Sequence, residues 1–201
     1  NAKVLKSFRD WGRDCWCPPG KDNTCGKRFE HQMGELPEGY DHKYTYSRLG
    51  YNLKITDMQA ALLVSQLTKL PMFVEKRRRN WNELRSRLDK YGKYLRFMQT
   101  IKGGDPSWFG FSMVVKEFAP FSRNDLVQFL ENKGIGTRLL FGGNLVRHPA
   151  YDGLACKIFQ PLTNSDVIMR DAFWIGCHPS IDDEHLDYIE KTFKEFFGRY
   201  K

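Results

Sequence analysis

Between Gly12 and about Ile55 the chain shows neither the helical nor the strand period in its apolar residues. It is rich in Gly, Pro, Asn, Asp and Tyr, with Cys17-Pro18-Pro19-Gly20 and Leu36-Pro37-Glu38-Gly39 as turn signals. So long a stretch without periodic structure is uncommon inside a compact domain unless it is functional or held by a cross-link or a metal. Three of the five cysteines, Cys15, Cys17 and Cys25, fall inside it, one residue apart and then seven. Disulfides suit secreted chains, and cysteines separated by a single residue pair poorly for geometric reasons. Zinc prefers two to four residues between paired ligands. Iron–sulfur ligation tolerates varied spacing and takes four ligands, of which three are here. Three unligated thiols are the remaining reading, although a Cys-Pro-Pro-Gly loop is an odd place for core cysteines. Spacing alone leaves these open. Cys156 is a possible fourth ligand, while Cys177, in the apolar run Trp174-Ile175-Gly176-Cys177, reads better as a buried structural thiol.

The rest of the chain is periodic. Residues 2 to 11 look like a helix ended by Gly12. Thr56 is a good N-cap, with Asp57 in the first turn, and Met58 to Lys69 carries an apolar stripe broad enough for burial. Pro71 opens a long helix in which Phe73, Arg77, Trp81, Leu84, Leu88 and Tyr91 recur at three-and-four spacing up to Gly92. Trp108 to Lys116 reads as a strand. Ser122 with Asp125 is a capping box for a helix closed by Gly134, and Ile135 to Phe141 reads as a second strand. Thr163 should cap a shorter helix, and Asp182 or Asp183 a final one that aligns Leu186, Ile189, Phe193 and Phe196. This order predicts a small α/β domain.

With 201 residues, 41% hydrophobic and 14% aromatic, the chain can bury one sizeable core or two small ones. No apolar run reaches the roughly 20 residues of a membrane span, and the start lacks a signal-peptide pattern, so a soluble, cytoplasmic protein without membrane insertion is expected. The missing initial Met suggests a piece of something longer. The net charge of +8, from 32 Lys plus Arg against 24 Asp plus Glu, invites an anionic partner. The densest run, Glu75-Lys76-Arg77-Arg78-Arg79, reads as a solvated helix face. A phosphate-bearing small molecule fits this balance better than nucleic acid.

The segments Trp11-Gly12-Arg13-Asp14-Cys15-Trp16-Cys17 and Asp22-Asn23-Thr24-Cys25-Gly26-Lys27-Arg28-Phe29 resemble the iron–sulfur loop of the CDP-4-keto-6-deoxyglucose 3-dehydrases, a family of dideoxysugar and lipopolysaccharide O-antigen biosynthesis. Gly39-Tyr40-Asp41-His42-Lys43-Tyr44-Thr45-Tyr46 is similar to the same family. Leu49-Gly50-Tyr51-Asn52, leading into Thr56-Asp57-Met58-Gln59-Ala60-Ala61, resembles the wider DegT-like sugar aminotransferase group. Pro106-Ser107-Trp108-Phe109-Gly110-Phe111 and the stretch from Ile135-Gly136-Thr137-Arg138 to Gly143-Asn144 continue the likeness, which covers essentially the whole chain.

That resemblance implies the aspartate-aminotransferase-type fold (fold type I). Residues 1–70 would end the large domain, 71–93 form a connecting helix and 94–201 form the small domain. It implies pyridoxamine 5'-phosphate (PMP/PLP) as cofactor, removal of the 3-hydroxyl of a CDP-4-keto-6-deoxy sugar, and a 2Fe-2S cluster fed by a flavin/iron–sulfur reductase. Cys15, Cys17 and Cys25 would be cluster ligands. Asn52 would reach the cofactor phosphate of the other subunit of a homodimer, and Phe109, Arg138 and Asn144 would lie near the sugar nucleotide. The family's catalytic His and fourth cluster Cys would precede Asn1, leaving this piece inactive alone. Three competitors remain, one of them a relative that keeps the fold and has lost catalysis. A nucleotide-sugar aminotransferase would share the Gly-Tyr-Asn segment without needing the cysteines, and a zinc-binding or interaction module would use the loop for a different metal.

Overall fold

The computed structural model describes residues 1–18, 20–153, 155 and 157–200. The chain forms two compact units, Asn1–Leu67 and Thr68–Lys201.

In the first unit, α1 (Ala2–Arg9) and α2 (Asp57–Leu67) flank the irregular stretch. Helix α1 stops two residues earlier than the sequence suggests, because Trp11 and Gly12 turn the chain with φ of 64° and 83°. Helix α2 begins with a reciprocal cap. The Thr56 hydroxyl accepts from the Gln59 backbone N–H at 3.3 Å, and the Thr56 N–H donates to the Gln59 side chain at 2.8 Å. Its apolar stripe is not buried as expected: Met58, Leu62, Leu63, Val64 and Leu67 are all exposed. A helix apolar on this scale needs cover that the described residues do not provide.

The second unit holds α3 (Leu70–Leu88), β1 (Leu95–Phe97), β2 (Gly110–Val115), α4 (Arg123–Asn132), β3 (Thr137–Leu139), α5 (Thr163–Asp171), β4 (Ala172–Gly176) and α6 (Asp183–Phe197). The strands form an antiparallel sheet in the order β1-β2-β4-β3. Strand alternation sends Phe111, Met113, Phe173 and Ile175 to one face. There they meet Leu84 and Leu88 of α3, Leu126 and Leu130 of α4, and Leu186, Phe193 and Phe196 of α6, all essentially inaccessible to solvent. Trp174 of β4 points to the opposite face. Helix α4 carries the expected Ser122–Asp125 capping box, and Asp182 caps α6 by accepting from the His185 N–H. Thr163, by contrast, is the first residue of α5; Leu162 occupies the cap position and its carbonyl accepts from Asp166 N–H.

The arginine run of α3 is not a free solvated face. Arg77 donates to the Trp108 carbonyl at 3.1 Å and Arg78 to the Pro106 carbonyl at 3.2 Å, while Arg79 pairs with Asp183. Each cation is used to tie α3 to a later segment. Buried Asn80 does the same, donating to the carbonyls of His178 and Ile181. No helix among the described residues is long and apolar enough to cross a membrane.

Candidate functional site

The irregular stretch is held where its two ends cross. Tyr51 N–H donates to Phe8 O at 2.7 Å, Trp11 N–H to Tyr51 O at 3.0 Å and Asp14 N–H to Thr45 O at 2.9 Å. Between these rungs Gly12 O accepts from the N–H groups of Ser47 and Arg48. The backbones approach so closely that a Cβ on Gly12 would lie 1.8 Å from Arg48 O, and one on Gly50 would lie 2.1 Å from Gly12 N. Only glycine fits at this crossing.

Above it, side chains complete the frame. Arg28 grips Asp41 through two parallel bonds, Nε to Oδ1 at 2.9 Å and Nη2 to Oδ2 at 2.6 Å. The guanidinium holds the Asp41 carboxyl down at about 2. Asp22 pairs with Lys43 at 2.8 Å. Asp14 sits deeper. Burial alone would raise its pKa, but hydrogen bonds from His42 and Ser47 outweigh that and hold it below the ordinary value.

Cys15, Cys17 and Cys25 are free, half-buried thiols of this one loop. Cys17 Sγ accepts the Thr24 N–H at 3.4 Å, and hydrogen bonding from Thr24 lowers its pKa. Burial raises that of Cys15, and the neighbouring sulfurs of Cys17 and Cys25 add to the shift. Cys25 Sγ lies 4.0 Å from His42 Nδ1. His42 is only 2% exposed, its Nε2 is 2.7 Å from Asp14 Oδ2, and its ring packs between the edge of Trp16 and the face of His31. Ligand atoms of Cys25, His31 and His42 all lie within 4.8 Å of one another, and His31 Nε2 is buried without a hydrogen-bond partner. Sequence reasoning overlooked Asp14, His31 and His42 as a group, since 28 positions separate the first from the last. The nearest signal was Asp41-His42 inside a segment already singled out for its resemblance.

Asn52 is exposed, and its backbone bridges to Asp10 at the mouth of the same crossing. The other candidates belong to the second unit. Phe109 precedes β2 and is 67% exposed rather than a core residue. Its ring lies 5.2 Å from that of Trp174, and the Arg77 guanidinium sits over it. Arg138 pairs with Trp174 across the β3–β4 register, on the sheet face away from the core. Phe109 and Arg138 thus flank one tryptophan. Asn144 is elsewhere and buried, its amide donating to Asp166 Oδ1 at 2.7 Å while Arg147 grips the same carboxylate. Cys177 lies in the core, donates its thiol to Arg77 O, and has its pKa pushed up to about 11 by burial. Cys156 lies outside the described residues.

The chain is 53% identical over 196 residues to the lipopolysaccharide biosynthesis protein RfbH of Salmonella typhimurium, covering 98% of this chain and 45% of that protein. It is 52% identical over 198 residues to the dTDP-4-dehydro-2,6-dideoxy-D-glucose 3-dehydratase of Saccharopolyspora spinosa, covering 98% and 43%. It therefore spans less than half the length of these relatives. Among solved structures, GDP-4-keto-6-deoxy-D-mannose-3-dehydratase of E. coli with bound hydrated PLP superposes with a TM-score of 0.73 at 23% identity, over 94% of this chain and 46% of that one. A DegT DnrJ EryC1 StrS aminotransferase from Brucella abortus gives 0.69 at 20%, over 98% and 43%. The fold is thus the expected α/β, aspartate-aminotransferase type, of which the chain forms the C-terminal part. The DegT/DnrJ/EryC1/StrS aminotransferase family profile matches residues 21–194, and the chain belongs to that family.

Proposed function

We propose that this chain is part of a PMP/PLP-dependent sugar-nucleotide 3-dehydrase that removes the 3-hydroxyl of a 4-keto-6-deoxyhexose, with electrons delivered through a 2Fe-2S cluster. The observation that carries this reading is the gathering of Cys15, Cys17 and Cys25, all free, in one framed loop of a chain 52% identical to a sugar 3-dehydratase. An aminotransferase of the same fold has no use for three thiols there. The nucleotides in the relatives' names are dTDP and GDP. Assignment of CDP rests on the resemblance of the cysteine loop.

The donor set suits the cluster: soft thiolates, with a backbone N–H already directed at Cys17. PMP when bound supplies an electron sink that makes a sugar hydroxyl expellable. This chain's contribution is to bind and to conduct. Exposed Asn52 offers an amide donor to a phosphate of the partner subunit's cofactor, which requires a homodimer. The uncovered apolar face of α2 and its lead-in, with Leu49 96% exposed, suits burial in such an assembly. Phe109 and Arg138 offer an aromatic face and a fork of donors to the sugar nucleotide. Asn144, buried and committed to Asp166, stands apart from them and serves to hold its own segment. The general base is not assigned to this chain. His42, His148, His178 and His185 are each engaged locally, and His31 is stacked on His42.

Net deoxygenation takes up two electrons and two protons and releases the C3 oxygen as water, so a reductase must be a partner; a flavin/iron–sulfur protein supplies electrons singly. The convergence of Cys25, His31 and His42 supports a second reading, a mixed Cys/His zinc site. Metal analysis of the intact protein purified without oxygen separates the two. Iron and acid-labile sulfide that disappear in Cys17→Ser support the dehydrase, whereas zinc, or no metal, in both forms refutes the cluster.

A further inference from the structure

We infer that Trp174 is the seat of the exposed Phe109 ring, and through that ring sets how tightly the sugar nucleotide is held. The inference rests on the reading above, in which Phe109 meets the sugar nucleotide, and extends it to two residues, Trp174 and Gly110, that act behind that contact.

Phe109 stands just outside β2 and is 67% exposed. A side chain so open has to be ordered when a ligand binds, at a cost in affinity, unless the protein orders it beforehand. Trp174 does so. The two rings lie 5.2 Å apart at an interplanar angle of 55°, within the range of a favourable aromatic pair. The indole is itself restrained in three ways. β4 is an inner strand, paired with β2 on one side and β3 on the other, which fixes the Trp174 backbone. The indole Nε1–H donates to the Leu139 carbonyl at 3.1 Å. Its six-membered ring lies against Gly110, where an added Cβ would come within 2.4 Å of Cε3 and 3.0 Å of Cδ2 and Cζ3. Gly110 has no left-handed φ, so it is the indole and not the backbone that leaves no room for a side chain. Across the β3–β4 register Trp174 also pairs with Arg138, so one rigid residue stands between the aromatic face and the cation. Trp174 is therefore a positioning residue that acts through Phe109.

The test uses the intact protein and compares wild type with Phe109→Ala, Trp174→Ala, Trp174→Phe and Gly110→Ala, and with the double variants Phe109→Ala/Trp174→Ala and Gly110→Ala/Trp174→Ala. Readouts are KM and kcat for CDP-4-keto-6-deoxyglucose with PMP, reductase and NADH, the dissociation constant of that sugar nucleotide without PMP or reductase, and the denaturant midpoint. Trp174→Ala and Gly110→Ala should each raise KM and the dissociation constant roughly two- to tenfold, the cost of ordering one side chain, with kcat nearly unchanged. Trp174→Phe, which keeps a ring beside Phe109, should recover most of the affinity. Phe109→Ala/Trp174→Ala should bind no more weakly than Phe109→Ala, and Gly110→Ala should have no effect once the indole is gone; a merely structural role would shift the denaturant midpoint without this non-additive pattern. Wild-type affinity in both Trp174→Ala and Gly110→Ala, with Phe109→Ala weakened, would overturn the seat and leave the substrate reading standing. Losses that add in Phe109→Ala/Trp174→Ala would overturn it too, by making Trp174 a substrate contact of its own. If Trp174→Ala does not fold, Gly110→Ala and Trp174→Phe decide on the same readouts. Wild-type affinity in Phe109→Ala would sink the reading of Phe109 itself, and the seat with it.

Discussion

If the crossing of Gly12 and Gly50 frames the cysteine loop, Gly50→Ala should loosen that loop specifically. Gly50 has no left-handed φ, so the new methyl brings no backbone penalty; the difficulty is steric. Its Cβ would sit 2.1 Å from Gly12 N and 2.6 Å from Trp11 C, backbone atoms that move only if the strands part. Parting them to ordinary contact sacrifices the bonds from Trp11 N–H to Tyr51 O and from Ser47 and Arg48 N–H to Gly12 O. At about 1 kcal/mol each, the loss is about 3 kcal/mol. Gly26 is the control, with φ +70° but nothing within 4 Å of an added Cβ. Gly26→Ala should cost only the left-handed penalty of roughly 1–2 kcal/mol. Amide hydrogen exchange on the intact protein reads the difference. Protection of the Trp11, Ser47 and Arg48 amides should fall by about two orders of magnitude in Gly50→Ala, since 1.4 kcal/mol is about tenfold, and by about tenfold in Gly26→Ala. Equal protection in Gly50→Ala and wild type would refute the framing role.

Acid should open the same loop. Asp41 and Asp14 have folded pKa values below their ordinary 3.8, so their stabilisation is complete above that value and is lost as pH falls towards about 2 for Asp41. Fluorescence of Trp16 against pH should show a transition in that window that moves upward in Arg28→Gln; a flat trace would contradict it. In the second unit, Leu130→Ala should destabilise by about 2–5 kcal/mol, measured by denaturant unfolding, because Leu130 is fully enclosed between α4, α6 and the sheet. Phe109→Ala should raise KM for the sugar nucleotide while leaving unfolding nearly unchanged. Asn144→Ala should do the reverse, since it removes a buried amide and its bond to Asp166; similar effects of both on KM would contradict the division between them.

What could be read from the chain in advance was local. Caps at Thr56, Ser122 and Asp182 depend on residues within three positions, and each formed as its spacing implied. β1 went unread because a three-residue strand exists only through its pairing with β2. The arginine run looked like a solvated face because the carbonyls that absorb Arg77 and Arg78 lie about 30 residues further on. The contacts of His42 were illegible for the same reason: Asp14 and Cys25 lie 28 and 17 positions away in the chain. The stripe on α2 was read correctly as apolar, and its exposure shows that periodicity identifies a face that needs cover without identifying what covers it.

The most direct test is the mass of the sugar product. The intact protein would be supplied with PMP, CDP-4-keto-6-deoxyglucose, a flavin/iron–sulfur reductase and NADH, without oxygen. The account predicts a product lacking one oxygen, with the loss at C3, and no such product from Cys17→Ser. An amino sugar that retains its C3 hydroxyl, formed equally well by the Cys17→Ser protein, would contradict it.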